Sequence, residues 1–408
     1  MRVLQINAVY NVGSTGVIVS DLHALSMKEG IESFVAYSIS RLPENEIPNG
    51  YRMGNVFGKK LHALFCRING KQAYFSRIST KRFLKYVDKI KPDIVHLHNL
   101  HSNYINLNMV LDYLGKHHIK TVITLHDCWY FTGGCFYYTA DNCSKWTSGC
   151  GNCPKKLTDT PALLFDKSNK IISDREKYFR QIQSLTVVGV SKWTASEAQK
   201  TFLNGKNVTY IYNGIDTDFF VNTQSDLKGK YGVADKFVIL GAANKWMKDI
   251  NRETLDYFSK NIPKDAVLML IGCSKKQRKM LPDNVIALDY FHNRKELRNV
   301  YSMADVFVNC TREDALSLIN IEAQSCGTPV VTYRNSGVME TVDNECGFSV
   351  ETGNPQALFD AVMRIKKDGK ESFSEKTRVW VVDKFNREEN YKKYIELYRS
   401  LVENEVLR

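Results

Sequence analysis

The sequence predicts an α/β chain of two doubly wound, parallel-sheet domains, and three observations carry that expectation. Its 408 residues exceed what one hydrophobic core usually supports, so two domains of about 150–200 residues each follow. Short apolar runs alternate with amphipathic segments along the chain, the pattern of parallel strands joined by helices. The alternation falls into two series, separated by a weakly periodic stretch from about Gly189 to Phe220 in which Asn213-Gly214 is a turn signal.

In the first series the predicted strands are Val3–Ile6, Ser33–Tyr37, Ile94–His98, Thr121–Leu125 and Leu185–Val190. In the second they are Phe237–Ala242, Val267–Ile271, Val285–Leu288, Val306–Asn309 and Pro329–Thr332, with helices over Arg294–Met303 and Leu318–Ser325 between them. The expected domains are therefore 1–195 and 210–385, followed by an amphipathic helix over 387–402. In such sheets ligands bind at the carboxyl ends of the strands. Residues 126–154 break the rhythm: rich in aromatics, Gly and Cys, they are too long for an ordinary strand-to-helix loop and read as a functional or cross-linked excursion.

Hydrophobic residues make up 43% of the chain and charged residues 25%, the balance of a globular protein, and no run is apolar enough to cross a bilayer. MRVLQINAVYN reads as a first buried strand rather than a targeting segment, which argues for the cytoplasm. The formal net charge of +12 favours an anionic partner. Much of it lies between Lys59 and Lys91, where basic residues interleave with Leu61, Leu64, Phe65, Phe75 and Phe83 as in a basic amphipathic helix. Such a stretch is either a solvated helix face or a contact for an anionic membrane surface. No signature of a nucleic-acid-binding module is present.

Several residues carry candidate chemistry. Gly13, Ser14, Thr15 and Gly16 lie between the first strand and the following helix, where backbone N–H groups can cradle an anion; the alternative is a tight turn and no more. Glu322 sits inside the apolar helix, where a carboxylate is costly to bury without partners, and Asp314 precedes it by eight residues. The plain alternative is that Asp314 caps the helix and Glu322 faces solvent. Lys245, Lys248 and Arg252, with Asn244 beside them, follow the strand at Phe237–Ala242 and could neutralise a diphosphate. His126 ends a buried strand next to Asp127. Cys128, Cys135, Cys143, Cys150 and Cys153 crowd the excursion; the last four can close a structural zinc site or remain reduced thiols.

The Asp314…Glu322 pair before Cys326-Gly327-Thr328-Pro329-Val330-Val331 resembles the paired-acid signature of glycosyltransferase family 4. It is joined in the same order by GSTG at Gly13–Gly16, Leu125-His126-Asp127, Val190-Ser191-Lys192-Trp193, Asn213-Gly214-Ile215-Asp216 and Ala304-Asp305-Val306-Phe307-Val308-Asn309. HDCWYFTGGCFY with its downstream cysteines resembles a bacterial subgroup that builds surface polysaccharides. The resemblance implies a GT-B architecture, two Rossmann-like lobes facing a cleft, in which a sugar moves with retention from a nucleotide diphosphate sugar, a UDP-sugar, to a lipid-linked or saccharide acceptor at the inner face of the membrane, with no cofactor for catalysis. It implies that Glu322 binds ribose and that Asp314 and the backbone of Ala315, Leu316, Ser317 and Leu318 hold the donor sugar. His126 and Lys248 join Asp314 as the catalytic candidates, and Gly13–Gly16, Asn244, Lys245 and Arg252 as donor-binding ones. Ala315–Leu318 and Asn335-Ser336-Gly337-Val338 depart from the family's usual texture. A sugar-nucleotide epimerase of the same shape and a non-catalytic binding subunit are the alternatives.

Overall fold

A computed structural model describes residues 1–159 and 161–403, in two compact units: Met1–Ile211 with the chain from Tyr391 onward, and Tyr212–Asn390. Each is built on one parallel sheet.

The first unit's sheet has seven strands: β1 (Arg2–Ile6), β2 (Glu32–Tyr37), β3 (Gly50–Arg52), β4 (Ile94–Leu97), β5 (Lys120–Leu125), β6 (Leu185–Gly189) and β7 (Asn207–Tyr210). Their spatial order is β3-β2-β1-β4-β5-β6-β7, and every pairing is parallel. The order reverses between β1 and β4, which makes their carboxyl ends the unit's switch point. Central strands are almost wholly buried, so they read in the sequence as unbroken apolar runs. The edge strands β3 and β7 are short and partly exposed, carry no such run, and were not visible in the apolar pattern.

Helix α1 (Gly13–Lys28) follows β1. The basic stretch expected as one helix is two, α2 (Val56–Asn69) and α3 (Arg77–Ile90). Gly70 stops α2 in a left-handed conformation, φ 69°, that a residue with a β-carbon adopts at a cost. Also in this unit are α4 (Leu107–Lys116), α5 (Ser168–Gln181) and α6 (Lys192–Gln199). β7 and α6 occupy ground that reads in the sequence as a structureless join.

The second unit's six strands are β8 (Phe237–Ala242), β9 (Ala266–Ile271), β10 (Val285–Ala287), β11 (Val306–Asn309), β12 (Val330–Tyr333) and β13 (Gly347–Val350), in the all-parallel order β10-β9-β8-β11-β12-β13. This is the Rossmann order, with its switch point between β8 and β11. Its helices include α7 (Arg252–Asn261), α8 (Arg294–Met303), α9 (Leu318–Ser325), α10 (Pro355–Asp368) and α11 (Glu371–Phe385). The bounds of α8 and α9 are those the sequence predicts.

The last helix, α12 (Arg387–Glu403), packs Tyr391, Tyr394, Ile395 and Tyr398 into the first unit's core with Val3, Ile94, Val122 and Val188. Among the described residues no helix is long and apolar enough to cross a membrane.

Candidate active site

In the second unit the loops that leave β8 and β11 meet at the switch point. After β8 a single turn, Ala243–Trp246, carries Asn244 and Lys245. Trp246 is fully buried and its indole N–H donates to the carbonyl of Val308 in β11 at 3.1 Å, fastening this turn across the two central strands. Lys245 Nζ then reaches Asp314 Oδ2 at 3.0 Å, both side chains largely buried. This ion pair joins the two loops at the place where such a sheet binds ligands.

Asp314 is held from a third element. The hydroxyl of Ser336 accepts from the Asp314 backbone N–H at 3.2 Å and donates to its carbonyl at 2.8 Å, while the Asn335 side chain donates to the carbonyl of Thr311 at 2.8 Å. Asn335 and Ser336, which in the sequence are only departures from the family texture, thus set the acidic loop. Ala315, Leu316 and Ser317 are buried; Ser317 Oγ accepts from Asn309 Nδ2 at 2.9 Å, and Leu318 starts α9.

The helix-capping alternative fails for Asp314, because the residue at the N-cap of α9 is Ser317. Nor does Glu322 simply face solvent. Tyr301 of α8 donates to its Oε2 at 3.0 Å, and burial pushes its pKa up to about 7, opposed by that hydrogen bond and by the charge of Arg294. A carboxylate in this condition gains from any ligand that supplies hydroxyl donors.

The basic group is dispersed. Lys248 is exposed, and Arg252, at the start of α7, is exposed and paired with Asp256 at 3.1 Å. Sequence reasoning missed Arg312. Its charge, with those of Lys245 and Lys248, bears on Cys310 at the carboxyl end of β11, and its Nε donates to Asn251 at 3.3 Å. The signal was available: Arg312 stands two residues before Asp314 in the same strand-end loop.

In the first unit Gly13–Gly16 form the opening turn of α1. Its N-cap, Val12, supplies no side-chain acceptor, and Gly13 has φ 62°. A β-carbon on Gly16 would lie 3.1 Å from Val9 Cγ2 and 3.3 Å from the Asn11 nitrogen, so a side chain there would require these neighbours to give by a few tenths of an ångström.

His126 is part of a histidine series along three adjacent strand ends. His98 Nε2 meets Gln5 Oε1 at 3.2 Å and His98 Nδ1 meets His126 Nε2 at 3.1 Å. With Gln5 as acceptor, His98 carries its proton on Nε2 and accepts from His126. The Nδ1 of His126 is then a bare acceptor, buried and without a partner. Burial is the main force lowering the His126 pKa, to about 4, so its neutral form prevails at pH 7. Asp127 is engaged otherwise, accepting from the Trp129 N–H at 2.8 Å and facing His101 at 3.2 Å.

The excursion after His126 drives Trp129, Tyr130 and Phe131 into the core. Beyond them Cys135, Cys143, Cys150 and Cys153, all free thiols, line one cavity of about 20 Å³. Among the described residues no group of three or more His, Cys, Asp or Glu side chains is placed to hold a metal ion.

Comparison with known proteins agrees with this architecture. The family model Glycosyltransferase Family 4 matches residues 28–219, and Glycosyl transferases group 1 matches residues 233–368. WcaC of Escherichia coli (strain K12), a glycosyl transferase named for colanic acid biosynthesis, is 24% identical over 374 residues, covering 86% of this chain and 87% of its own. The O-antigen biosynthesis glycosyltransferase WclY of Escherichia coli is 24% identical over 208 residues, 49% of this chain and 58% of its own. Among solved structures, sucrose-phosphate synthase from Thermosynechococcus elongatus superposes with a TM-score of 0.71 over 99% of both chains at 17% identity. Anabaena HepE in complex with UDP-glucose gives 0.65 over 98% of this chain and all of the other, at 15% identity.

Proposed function

From the premise that the chain is a glycosyltransferase of the GT-B, family 4-like type, we propose that it moves a sugar from a uridine diphosphate sugar, with retention, to a lipid-linked or saccharide acceptor in bacterial surface-polysaccharide synthesis. The observation that carries this is the Lys245–Asp314 pair at the second unit's switch point, with Glu322 desolvated on the helix that follows. A nucleotide diphosphate sugar needs an acceptor for ribose hydroxyls, a polar group for sugar hydroxyls and cations for the departing diphosphate. Glu322, Asp314 with the Ala315–Leu318 backbone, and Lys245 with Lys248 and Arg312 are those groups, and Asn244 and Arg252 flank them. Gly13–Gly16 present uncapped N–H groups to phosphate, and His126 Nδ1 accepts a hydrogen bond from a sugar hydroxyl.

Retention requires no protein nucleophile here. The incoming hydroxyl attacks the anomeric carbon on the face from which the diphosphate leaves, and its proton passes to a phosphate oxygen of the leaving group. Lys245 and its neighbours lower the barrier by stabilising the charge that develops on that group. The matches to transferase families set aside the epimerase and binding-subunit alternatives. The relatives' names support the surface-polysaccharide assignment, and the UDP-bound neighbour supports uridine. Peripheral attachment to the inner face of the membrane is part of the same proposal. It is supported by α2, where Phe57, Leu61, Leu64 and Phe65 are exposed among basic residues.

Calorimetry with a panel of UDP- and GDP-sugars, followed by proton NMR of the product's anomeric coupling, tests this reading. Binding of a UDP-sugar and an anomeric configuration kept in the product are expected. A preference for guanosine, or an inverted product, would overturn the corresponding part.

A further inference from the structure

We propose that Cys135, Cys143, Cys150 and Cys153 bind one zinc ion as a closed four-thiolate site that pins the irregular segment between His126 and α5. The site is independent of the Lys245, Asp314 and Glu322 assignment, which lies in the other unit.

Four observations converge on it. First, the segment has almost no regular structure of its own: three single turns, Trp129–Phe131, Thr139–Asp141 and Lys145–Thr147, joined by extended and left-handed backbone. A chain of this kind gains order from a cross-link or a metal. Second, the four sulfur-bearing residues are spread over nineteen positions yet line one cavity, whose volume of about 20 Å³ is room for a single ion or water. Third, main-chain N–H groups already point at the sulfurs. Gly133 N–H donates to Cys150 Sγ at 3.2 Å, and the backbone of Lys155 hydrogen-bonds the Cys153 sulfur. The second contact, from two residues beyond the Cys150-x-x-Cys153 pair, stabilises a thiolate better than a thiol. A β-carbon on Gly133 would stand 2.7 Å from that of Cys150, so glycine is what admits the cysteine.

The fourth observation is charge. Arg175 of α5 is fully buried; its guanidinium donates to the carbonyls of Trp129 and Thr132 and stacks on the Trp129 ring, 3.9 Å from the centroid. Its Nε has no partner, and among the described residues no carboxylate forms an ion pair with it. The groups that bear on its charge include Cys135 and Cys150. A buried cation beside neutral thiols is uncompensated, whereas beside a zinc tetrathiolate, of net charge −2, it is paired. Lys145 also lines the cavity, and its ammonium donates to the carbonyls of Gly151 and Asn152, bracing the turn between Cys150 and Cys153.

Zinc would bind the four cysteines as thiolates, the four S–H protons passing to solvent as four Zn–S bonds form. To hold the ion the four side chains would have to draw closer together than they stand in the structure.

Elemental analysis of the full chain, purified under reducing conditions without chelator from zinc-supplemented cells, should give one zinc per chain. Cobalt titrated into the metal-stripped protein should produce sulfur-to-metal charge-transfer absorption and the visible bands of a tetrahedral centre. Cys143→Ser and Cys150→Ser should lose the metal, while Cys273→Ser, in the second unit, keeps it. If the two variants fail to fold, the unmodified chain decides the matter by its stoichiometry and cobalt spectrum. A folded chain that carries no zinc, takes up none on titration and gives no cobalt spectrum would overturn the proposal. Iron in place of zinc would overturn it as well.

Discussion

At the residue scale, Glu322 makes opposite demands on stability and on binding. Its pKa, raised to about 7 chiefly by burial, lies above the ordinary glutamate value of 4.5, so between those values the folded chain holds a proton that the unfolded chain has lost. Stability therefore falls as pH rises through that window, by an amount on the order of 3 kcal/mol above pH 7. Glu322→Gln removes this penalty. The ligand-free variant should melt no lower than the parent at pH 8, with the difference vanishing near pH 4, while its affinity for the nucleotide drops by roughly 1–3 kcal/mol because an amide cannot accept two charge-assisted hydrogen bonds. A variant that loses stability at pH 8 and binds UDP as before would identify Glu322 as a structural residue. His126 separates the units in a similar way. If its bare Nδ1 accepts from a sugar hydroxyl, His126→Ala should lower kcat for transfer while calorimetry finds UDP affinity unchanged, since Glu322 belongs to the second unit. The sequence showed His126 at a strand end, but the Gln5–His98–His126 series that fixes its tautomer joins residues up to 121 positions apart and exists only once β1, β4 and β5 lie side by side.

At the element scale, what the sequence made legible follows burial. Nine of the ten apolar runs are the nine interior strands, because a parallel strand covered on both faces must be apolar throughout, and the tenth, Val285–Leu288, is the edge strand β10. The other edge strands, β3, β7 and β13, escaped because partial exposure admits Arg52, Thr209 or Ser349 into them. Helices α8 and α9 were readable from apolar spacing, but the contacts that make α9 functional come from elsewhere: Tyr301 on α8, and Asn335 and Ser336 after β12. The turn carrying Lys245 shows the same dependence. A β-carbon on Gly241 in β8 would fall 2.2 Å from Trp246 Nε1, inside the indole that anchors this turn to Val308. Gly241→Ala should therefore cost about 1–3 kcal/mol by overpacking. It should also weaken nucleotide binding, because the displaced turn takes Lys245 away from Asp314. Melting curves and calorimetry on one preparation check both effects, and intact binding in a destabilised variant would show that Lys245 does not serve the diphosphate.

At the scale of the whole molecule, the net charge of +12 acquires a location only when distant segments are combined. Helix α2 exposes Phe57, Leu61, Leu64 and Phe65, and the backbone N–H groups of Leu163, Leu164 and Phe165 bond to the carbonyls of Arg67 and Ile68 at its end, adding three more exposed apolar side chains. Lys60 and Arg67 on α2, and Arg77, Lys81, Arg82 and Lys85 on α3, are exposed in the same part of the first unit. Lys59 is not among them: it is partly buried and donates to the carbonyl of Ser38. An apolar patch among exposed cations is the composition that partitions into an anionic interface, the aromatic and leucine side chains entering the acyl boundary while each nearby cation adds on the order of 1 kcal/mol. The two contributions respond differently to salt, because a Debye length of about 10 Å at 0.1 M shrinks to about 3 Å at 1 M whereas hydrophobic insertion persists. Sedimentation with vesicles should show binding to anionic lipid and little to neutral lipid. Reversing Lys81, Arg82 and Lys85 to Glu should abolish the low-salt advantage, and Phe57→Ser with Phe165→Ser should remove the residue of binding that survives high salt. Equal recovery in the supernatant with both lipids at low salt would mean that these helices present only a solvated face, and that the acceptor is met away from a membrane.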